Sequence, residues 1–157
     1  MKKKIVVLGF LGTNLDQGGK ARWGRWRPTI SLGQQDDLLV DRFELFYEKN
    51  FLDLAQLVQK DFQQVSPETE FNLREVVLKD PWDFQTVYSG IFDNLKDYKF
   101  DTDNEEYLVH ITTGTHVIQI CLFLLTESRH IPGKLLQTHM QKSRNPNGTY
   151  TIIDLDL

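Results

Sequence analysis

The sequence contains a single cysteine, Cys121, among its 157 residues. An intrachain disulfide and a zinc site built from several cysteines are therefore excluded. Cys121 lies in an apolar stretch, so we expect it to be a buried core residue. No stretch contains the roughly 18 apolar residues that a membrane-spanning helix needs, and we expect no membrane partner.

The sequence has no excess of positive charge either. It carries 18 Lys and Arg against 22 Asp and Glu, a formal net charge of −4. A protein with this balance has no general basic field for nucleic acid or anionic membranes, so any contact with nucleic acid must come from a local patch. Residues 1–10 do not form a signal peptide, because Gly9 interrupts the apolar run and no small-residue cleavage site follows. We therefore expect a cytoplasmic protein.

Familiar catalytic and nucleotide-binding motifs are also missing. The chain has no GxGxxG fingerprint, no P-loop lysine motif and no Gly-x-Ser-x-Gly elbow. None of the four histidines pairs with another at metal-ligand spacing beside a carboxylate, so we predict no metal site and no cofactor. His110 alternates with apolar neighbours and is interpreted as a core histidine, whereas His130 and His139 are isolated.

What the chain does have is the composition and patterning of one α/β domain spanning residues 1–157, with 40% hydrophobic residues. Apolar runs of strand length alternate with segments of helical spacing, which favours a mainly parallel six-stranded sheet flanked by helices. The predicted strands are Lys4–Phe10, Arg42–Tyr47, Glu70–Leu78, Tyr107–Thr112, Lys134–Met140 and Tyr150–Leu157. The predicted helices are Phe51–Gln64, Asp80–Leu95 with Pro81 near its start, and Thr115–Arg129. The polar segment Gln141–Gly148 is predicted to be a loop.

Small polar turns follow the first and fourth predicted strands. The turn at Thr112–His116 places hydroxyls and free backbone N–H groups at a helix N-terminus, where the helix dipole favours anions. Because ligands bind at the carboxyl ends of the strands in such sheets, we predict a phosphate-bearing ligand there. The alternative is a pair of ordinary turns, the second capped by Thr115. The predicted contacts are Gly12, Thr13, Asn14, Thr112, Thr113, Gly114, Thr115 and His116.

The segment Lys20–Pro28 combines four cationic residues with two tryptophans. Arginine matches phosphate geometry and tryptophan stacks on bases, so this segment is the natural local patch for a base-bearing anion. The alternative is a loop in which the tryptophan rings pack and the arginines face solvent or pair with Asp36 and Asp37. The predicted ligand contacts in this segment are Arg22, Arg25, Trp26 and Arg27.

Five segments together resemble the N-terminal sensor domain of the RtcR family, transcriptional activators of the bacterial RNA 3′-terminal-phosphate cyclase operon. The resemblance extends over essentially the whole chain. That domain belongs to the CARF group (CRISPR-associated Rossmann fold), so the resemblance implies a Rossmann-like fold that senses nucleotides or oligonucleotides. The segments are Gly9–Asp16, Arg22–Pro28, Asp80–Phe84, Tyr107–His116 and Thr149–Leu157.

The resemblance further implies that this chain is the sensor part of a longer regulator. The remaining parts would be an AAA+ ATPase that drives sigma-N RNA polymerase and a helix-turn-helix that binds DNA. The sensor would hold the ATPase inactive until RNA ends with a cyclic phosphate, or tRNA fragments, bind to a homodimer. Many CARF relatives carry Lys or Arg where this chain has His116, which favours an RNA ligand other than cyclic oligoadenylate.

Two other functions stay open at this point. Some CARF proteins cleave their ligand, so one alternative is a metal-independent ribonuclease in which His116 and Thr115 take part. The other is a protein-interaction module whose apolar surface contacts an ATPase domain and binds no ligand. The leading hypothesis remains a non-catalytic sensor of phosphorylated RNA or oligonucleotide.

Overall fold

The computed structural model describes residues 2–140 and 146–155. In that part of the chain, six strands form one sheet: β1 Lys4–Phe10, β2 Arg42–Tyr47, β3 Glu70–Glu75, β4 Glu105–His110, β5 Gly133–His139 and β6 Thr149–Ile153. The α-helices are α1 Pro28–Gly33, α2 Leu52–Val65, α3 Phe84–Leu95 and α4 His116–Glu127. Short 3₁₀ turns precede α1 and α2, at Gly19–Gly24 and Lys49–Phe51.

The strands lie in the order β3-β2-β1-β4-β5-β6, and β1 to β5 are parallel. Only the last described strand, β6, runs antiparallel, along β5. After β1 the chain builds outward through β2 and β3, and then crosses back to place β4 on the other side of β1. The strand order therefore reverses between β1 and β4, which is where ligands bind in open α/β sheets. The predicted α/β Rossmann-like fold is confirmed.

Helices cover both faces of the sheet because alternate side chains of the central strands point in opposite directions. Val6 and Leu8 of β1 pack into a core with α3 and α4. Val7, between them, packs into a second core with α1 and α2. Among the described residues, no helix combines the length and the apolar character needed to cross a membrane. Cys121 is buried in the first core, as predicted.

The boundaries of four strands, β3 to β6, differ from the predicted ones, and for β4 the reasons are identifiable. β4 starts at Glu105, two residues earlier than expected, because the guanidinium of Arg42 binds the Glu105 carboxylate at 2.5 and 3.0 Å and makes a charged residue acceptable there. β4 ends at His110, because the following residues turn away toward α4. β3 ends at Glu75 rather than Leu78.

Two of the described α-helices, α3 and α4, start at capping residues that are visible in the sequence. α3 begins at Phe84, after Asp83, whose carboxylate accepts the amide hydrogen of Thr86 at 2.9 Å. The sequence predicted a helix from Asp80 with Pro81 in its first turn. Pro81 instead lies before the helix. The short helix α1 was not predicted. Residues 141–145 of the predicted loop and residues 156–157 of the predicted sixth strand lie outside the described residues.

We predict that Phe43→Ala lowers the free energy of unfolding by about 3–5 kcal/mol, because it empties the centre of a buried aromatic cluster. Phe43 has no exposed surface, and its ring centroid lies 5.3 Å from that of Phe62 and 4.9 Å from that of Phe71. The matched control is Phe84→Ala on the surface of α3, where we expect a loss of about 1 kcal/mol. Urea unfolding measures both, and equal losses would contradict this packing.

Candidate ligand-binding cleft

A cleft of about 340 Å³ lies beyond the carboxyl ends of β1 and β4. Its walls come from the turn after β1, the turn after β4, the segment after β2 and the residues before α3. The cleft therefore lies where the strand order reverses, which is the position expected for a ligand site in this fold. The lining residues are Phe10, Leu11, Gly12, Thr13, Asn14, Leu15, Glu48, Phe51, Trp82, Gly114, Thr115 and Ile118.

The carboxylate of Asp16 holds the turn after β1 in place. It is fully buried and accepts hydrogen bonds from the Gly12 amide at 2.8 Å, the Thr29 amide at 2.9 Å and the Thr29 hydroxyl at 2.6 Å. These bonds tie the turn to the first residues of α1. Burial raises the pKa of Asp16, because desolvation of the carboxylate outweighs the hydrogen bonds from Thr29 and Gly12.

The two turns approach each other at Gly12. A Cβ atom on this glycine would lie 2.9 Å from Cγ2 of Thr113 and 2.9 Å from Oδ2 of Asp16. Thr113 is itself buried, and its hydroxyl donates to the carbonyl of Phe10 at 2.5 Å. A side chain at position 12 would therefore push the two walls of the cleft apart.

The turn after β4 is shaped by Gly114, whose φ of +91° lies in the left-handed region that favours glycine. A Cβ atom there would also lie 2.9 Å from Cγ2 of Ile118. The side-chain amide of Gln119 donates to the carbonyls of Gly114, at 3.1 Å, and Thr112, at 3.3 Å. The turn is therefore fixed before any ligand is present.

Thr115 caps α4 and also joins a second element to the cleft. Its hydroxyl oxygen accepts the amide hydrogen of Ile118 at 3.2 Å, and the hydroxyl donates to the carbonyl of Pro81 at 2.8 Å. The second bond brings the segment before α3 against the cleft. The amides of His116 and Val117 have no acceptor within residues 2–140 and 146–155, as is usual in the first turn of a helix.

The donors that remain available in the cleft are neutral groups. The side chains of Thr13 and Asn14 make no hydrogen bond with any residue that the structure describes, and both are at least partly exposed. No Lys, Arg or His side chain is among the lining residues. The cleft can therefore hold an anion through hydroxyl, amide and backbone N–H donors together with the positive end of α4.

Glu48, Phe51 and Trp82 are among the seven lining residues that the reasoning from sequence missed. Glu48 and Phe51 follow β2, and Trp82 precedes α3 with about two thirds of its surface exposed. Burial raises the pKa of the Glu48 carboxyl. The position of Glu48 just after the second strand was the available signal, since all parallel strands end at the same edge of the sheet. Glu48, Phe51 and Trp82 together give the cleft a side with two aromatic rings and one carboxyl group.

The structure places the arginines of the Lys20–Pro28 segment outside the residues that line the cleft. Arg27 is buried, and its guanidinium lies 2.9 Å from the Asp61 carboxylate and over the ring of Trp23. Arg22 binds the same carboxylate at 2.7 Å. The alternative had these arginines facing solvent or pairing with Asp36 and Asp37, but the carboxylate that Arg22 and Arg27 bind is that of Asp61 in α2. These contacts attach the segment to α2.

Other predicted contacts also lie outside the lining residues. Trp26 packs against Gly148, and Arg25 is exposed. Thr113 is used internally, and the Thr112 hydroxyl accepts the Thr138 amide hydrogen at 2.9 Å. His116 is exposed at the first position of α4, so it presents its backbone amide rather than a lining side chain. The cleft brings together Gly12, Thr13, Asn14, Gly114 and Thr115.

His110 is a core histidine, as predicted. It is fully buried, and its Nε2 lies 2.9 Å from the hydroxyl of Thr138 on the neighbouring strand. Its Nδ1 has no partner among the described residues. Burial lowers the pKa of His110 to about 3, so the ring is neutral at ordinary pH.

Comparison with known sequences gives one consistent result. The family described as regulator of RNA terminal phosphate cyclase, RtcR, matches residues 3–157. The chain is 46% identical over 160 residues to the transcriptional regulatory protein RtcR of Escherichia coli (strain K12). The alignment covers 99% of this chain and 30% of that protein, so the chain spans about a third of the length of its relative.

Solved structures with the CARF fold are similar to this chain. Csm6 of Enterococcus italicus, bound to cyclic hexa-2′-fluoro-hexa-dAMP, matches 96% of this chain and 36% of its own, with a TM-score of 0.66 and 15% identity. Can2 of Sulfobacillus thermosulfidooxidans, in complex with cyclic tetra-adenylate, matches 96% and 37%, with a TM-score of 0.59 and 17% identity. At these identities the likeness establishes the fold.

We predict that Asp61→Ala lowers the free energy of unfolding by about 3–5 kcal/mol, because it leaves the buried Arg27 guanidinium without its counter-ion. The control is Asp53→Ala in the exposed first turn of the same helix, for which we expect a loss below about 1 kcal/mol. Thermal and urea unfolding of both variants measure the difference. An unchanged free energy of unfolding in Asp61→Ala would show that the contacts of Asp61 with Arg22 and Arg27 do not stabilise the fold.

Proposed function

Because the chain belongs to the RtcR family of regulators of RNA terminal phosphate cyclase, we propose that it is a ligand-sensing regulatory domain. The ligand is phosphorylated RNA or an oligonucleotide, and it binds in the cleft between the turns after β1 and β4. The observation that carries this proposal is the presence of unused neutral donors, the side chains of Thr13 and Asn14, on one fixed cavity. The free amides of His116 and Val117 directly follow the lining residue Thr115.

The shape of the cleft supports a ligand that is both anionic and base-bearing. Free backbone N–H groups at the start of α4 favour a phosphate oxygen. Phe51 and Trp82 offer ring faces on which a base can stack. A small inorganic anion would contact the backbone N–H groups and leave the two aromatic rings without a partner.

The RNA ends expected from the family are those with a 2′,3′-cyclic phosphate or a 3′-phosphate, free or on tRNA fragments. The fold is also compatible with a cyclic oligoadenylate, which two structurally similar proteins hold in their solved complexes. The absence of a cationic side chain among the lining residues favours a ligand of low charge over a long polyanion.

We propose that the domain binds its ligand without cleaving it. The exposed His116 does not line the cleft, and the buried His110 is neutral, so neither is placed for acid–base chemistry on a bound phosphate. The ribonuclease alternative therefore receives no support from the geometry.

In the full-length regulator, the proposal is that ligand binding relieves inhibition of an AAA+ ATPase, within a homodimer. Apolar side chains on the outer surfaces of α3 and α4 support contact with another folded unit, because a large exposed apolar patch is typical of an interface. They are Phe84, Phe92, Ile120 and Phe123. Trp82 lines the cleft and lies two residues before Phe84 in the chain, and we propose this segment as the route by which occupancy of the cleft alters the surface.

We predict that Asn14→Ala weakens binding of a short RNA ending in a 2′,3′-cyclic phosphate about fivefold to tenfold, by removal of one neutral hydrogen bond. Gln17→Ala, in the same turn but outside the lining residues, is the control and leaves the affinity unchanged. Isothermal titration measures the dissociation constants. In the full-length protein, Asn14→Ala raises by the same factor the RNA concentration that half-activates ATP hydrolysis.

The salt dependence of the same binding reaction provides an independent check. Since no cationic side chain lines the cleft, the logarithm of the affinity changes little with the logarithm of salt concentration. A slope of about −2 or steeper would contradict the proposed site, as would the absence of saturable binding by cyclic-phosphate RNA, 3′-phosphate RNA and cyclic tetra-adenylate alike.

A further inference from the structure

Glu48 is an unusual residue for the wall of a site that holds an anion. It is half-buried, lies just after β2 and lines the cleft. Its carboxylate makes no hydrogen bond or ion pair within residues 2–140 and 146–155. Glu48 therefore has a partly exposed carboxylate on the cleft wall that is free to accept a hydrogen bond from a bound molecule.

The ligand group that contacts Glu48 is not the phosphate, because two anions in direct contact repel each other. The partner must instead donate a hydrogen. The neighbouring residues restrict it further, since Phe51 and Trp82 line the same cavity with aromatic rings. A flat group that stacks on a ring and donates from its edge satisfies both requirements.

The two kinds of wall are separated by a distance that suits a nucleotide. Glu48 follows β2, whereas Gly114 and Thr115 follow β4, and β1 lies between these strands. With neighbouring strands about 4.8 Å apart, the strand ends are about 10 Å apart. A nucleotide whose phosphate lies at the start of α4 can therefore extend its base toward Glu48.

We propose that Glu48 determines base specificity by accepting a hydrogen bond from the exocyclic amino group of a nucleobase stacked beside Phe51 or Trp82. This inference rests on the proposed function and adds to it the chemical class of base. The cleft then selects bases that carry an amino group over those that carry only a carbonyl oxygen at that edge. A carbonyl oxygen facing the Glu48 carboxylate leaves two acceptors opposed with no hydrogen between them.

The test compares pairs of ligands in which that amino group is replaced by a carbonyl oxygen and the adjacent ring nitrogen gains a hydrogen. Short RNAs with a 2′,3′-cyclic phosphate are made with adenosine or inosine, and with cytidine or uridine, at the terminal position. We expect the amino-bearing member of one pair to bind about tenfold to 100-fold more tightly, the range for a hydrogen bond to a charged group. Isothermal titration with the whole chain gives each dissociation constant.

Glu48→Gln is the informative variant, because its side-chain amide can present either a carbonyl oxygen or an N–H₂ group to the base. We expect the preference to fall below about threefold while the affinity for inosine or uridine rises. Glu127→Gln, an exposed position at the far end of α4, keeps the wild-type preference. Urea unfolding of Glu48→Gln checks that the fold is retained, which we expect because Glu48 has no partner to lose.

The outcomes separate this inference from the function on which it rests. Equal affinity for both members of each pair, with saturable binding, overturns the role of Glu48 and leaves the proposed function intact. An unchanged preference in Glu48→Gln also overturns that role. A lack of binding by every RNA overturns the proposed function itself.

Discussion

The cleft depends on one buried carboxylate. Asp16 receives the amide of Gly12 and both donors of Thr29, and so connects the turn after β1 to the start of α1. The same turn packs closely against Thr113, which is possible because Gly12 has no side chain. Without Asp16, three donors would be buried without an acceptor, at a cost of about 1–3 kcal/mol for each. The geometry of the cleft is therefore established by groups that do not themselves face the ligand.

A second buried carboxylate, Asp61, explains why a cationic segment can lie close to the cleft without forming part of it. Asp61 binds both Arg22 and Arg27, and the ring of Trp23 covers the Arg27 guanidinium. Removing such charges from water is expensive, so arginines paired in this way are fixed by the fold and are poorly suited to exchange partners with a ligand. The anion site is left with neutral donors and a helix dipole.

The sequence was sufficient for the fold and for half of the candidate site. Alternating apolar runs predicted six strands, and the turn chemistry at Gly12–Asn14 and Gly114–Thr115 indicated two of the four segments that line the cleft. The role of Arg27 could not be predicted, because its partner Asp61 lies 34 residues away on a helix and nothing local marks that pairing. Trp82 was unpredictable for a similar reason, since it reaches the cleft through a bond between Thr115 and Pro81. Local chemistry is visible in the sequence, whereas long-range pairing between loops is not.

The central claim is that neutral donors at the ends of β1 and β4 hold the ligand, whereas the Arg and Trp segment does not. Amide NMR of the isotope-labelled chain, titrated with an RNA trinucleotide ending in a 2′,3′-cyclic phosphate, tests it most directly. The account predicts saturable shifts that are largest at Gly12, Thr13, Asn14, His116 and Val117, with residues 20–25 almost unchanged. Shifts confined to residues 20–27, with those five amides unaffected, would contradict it.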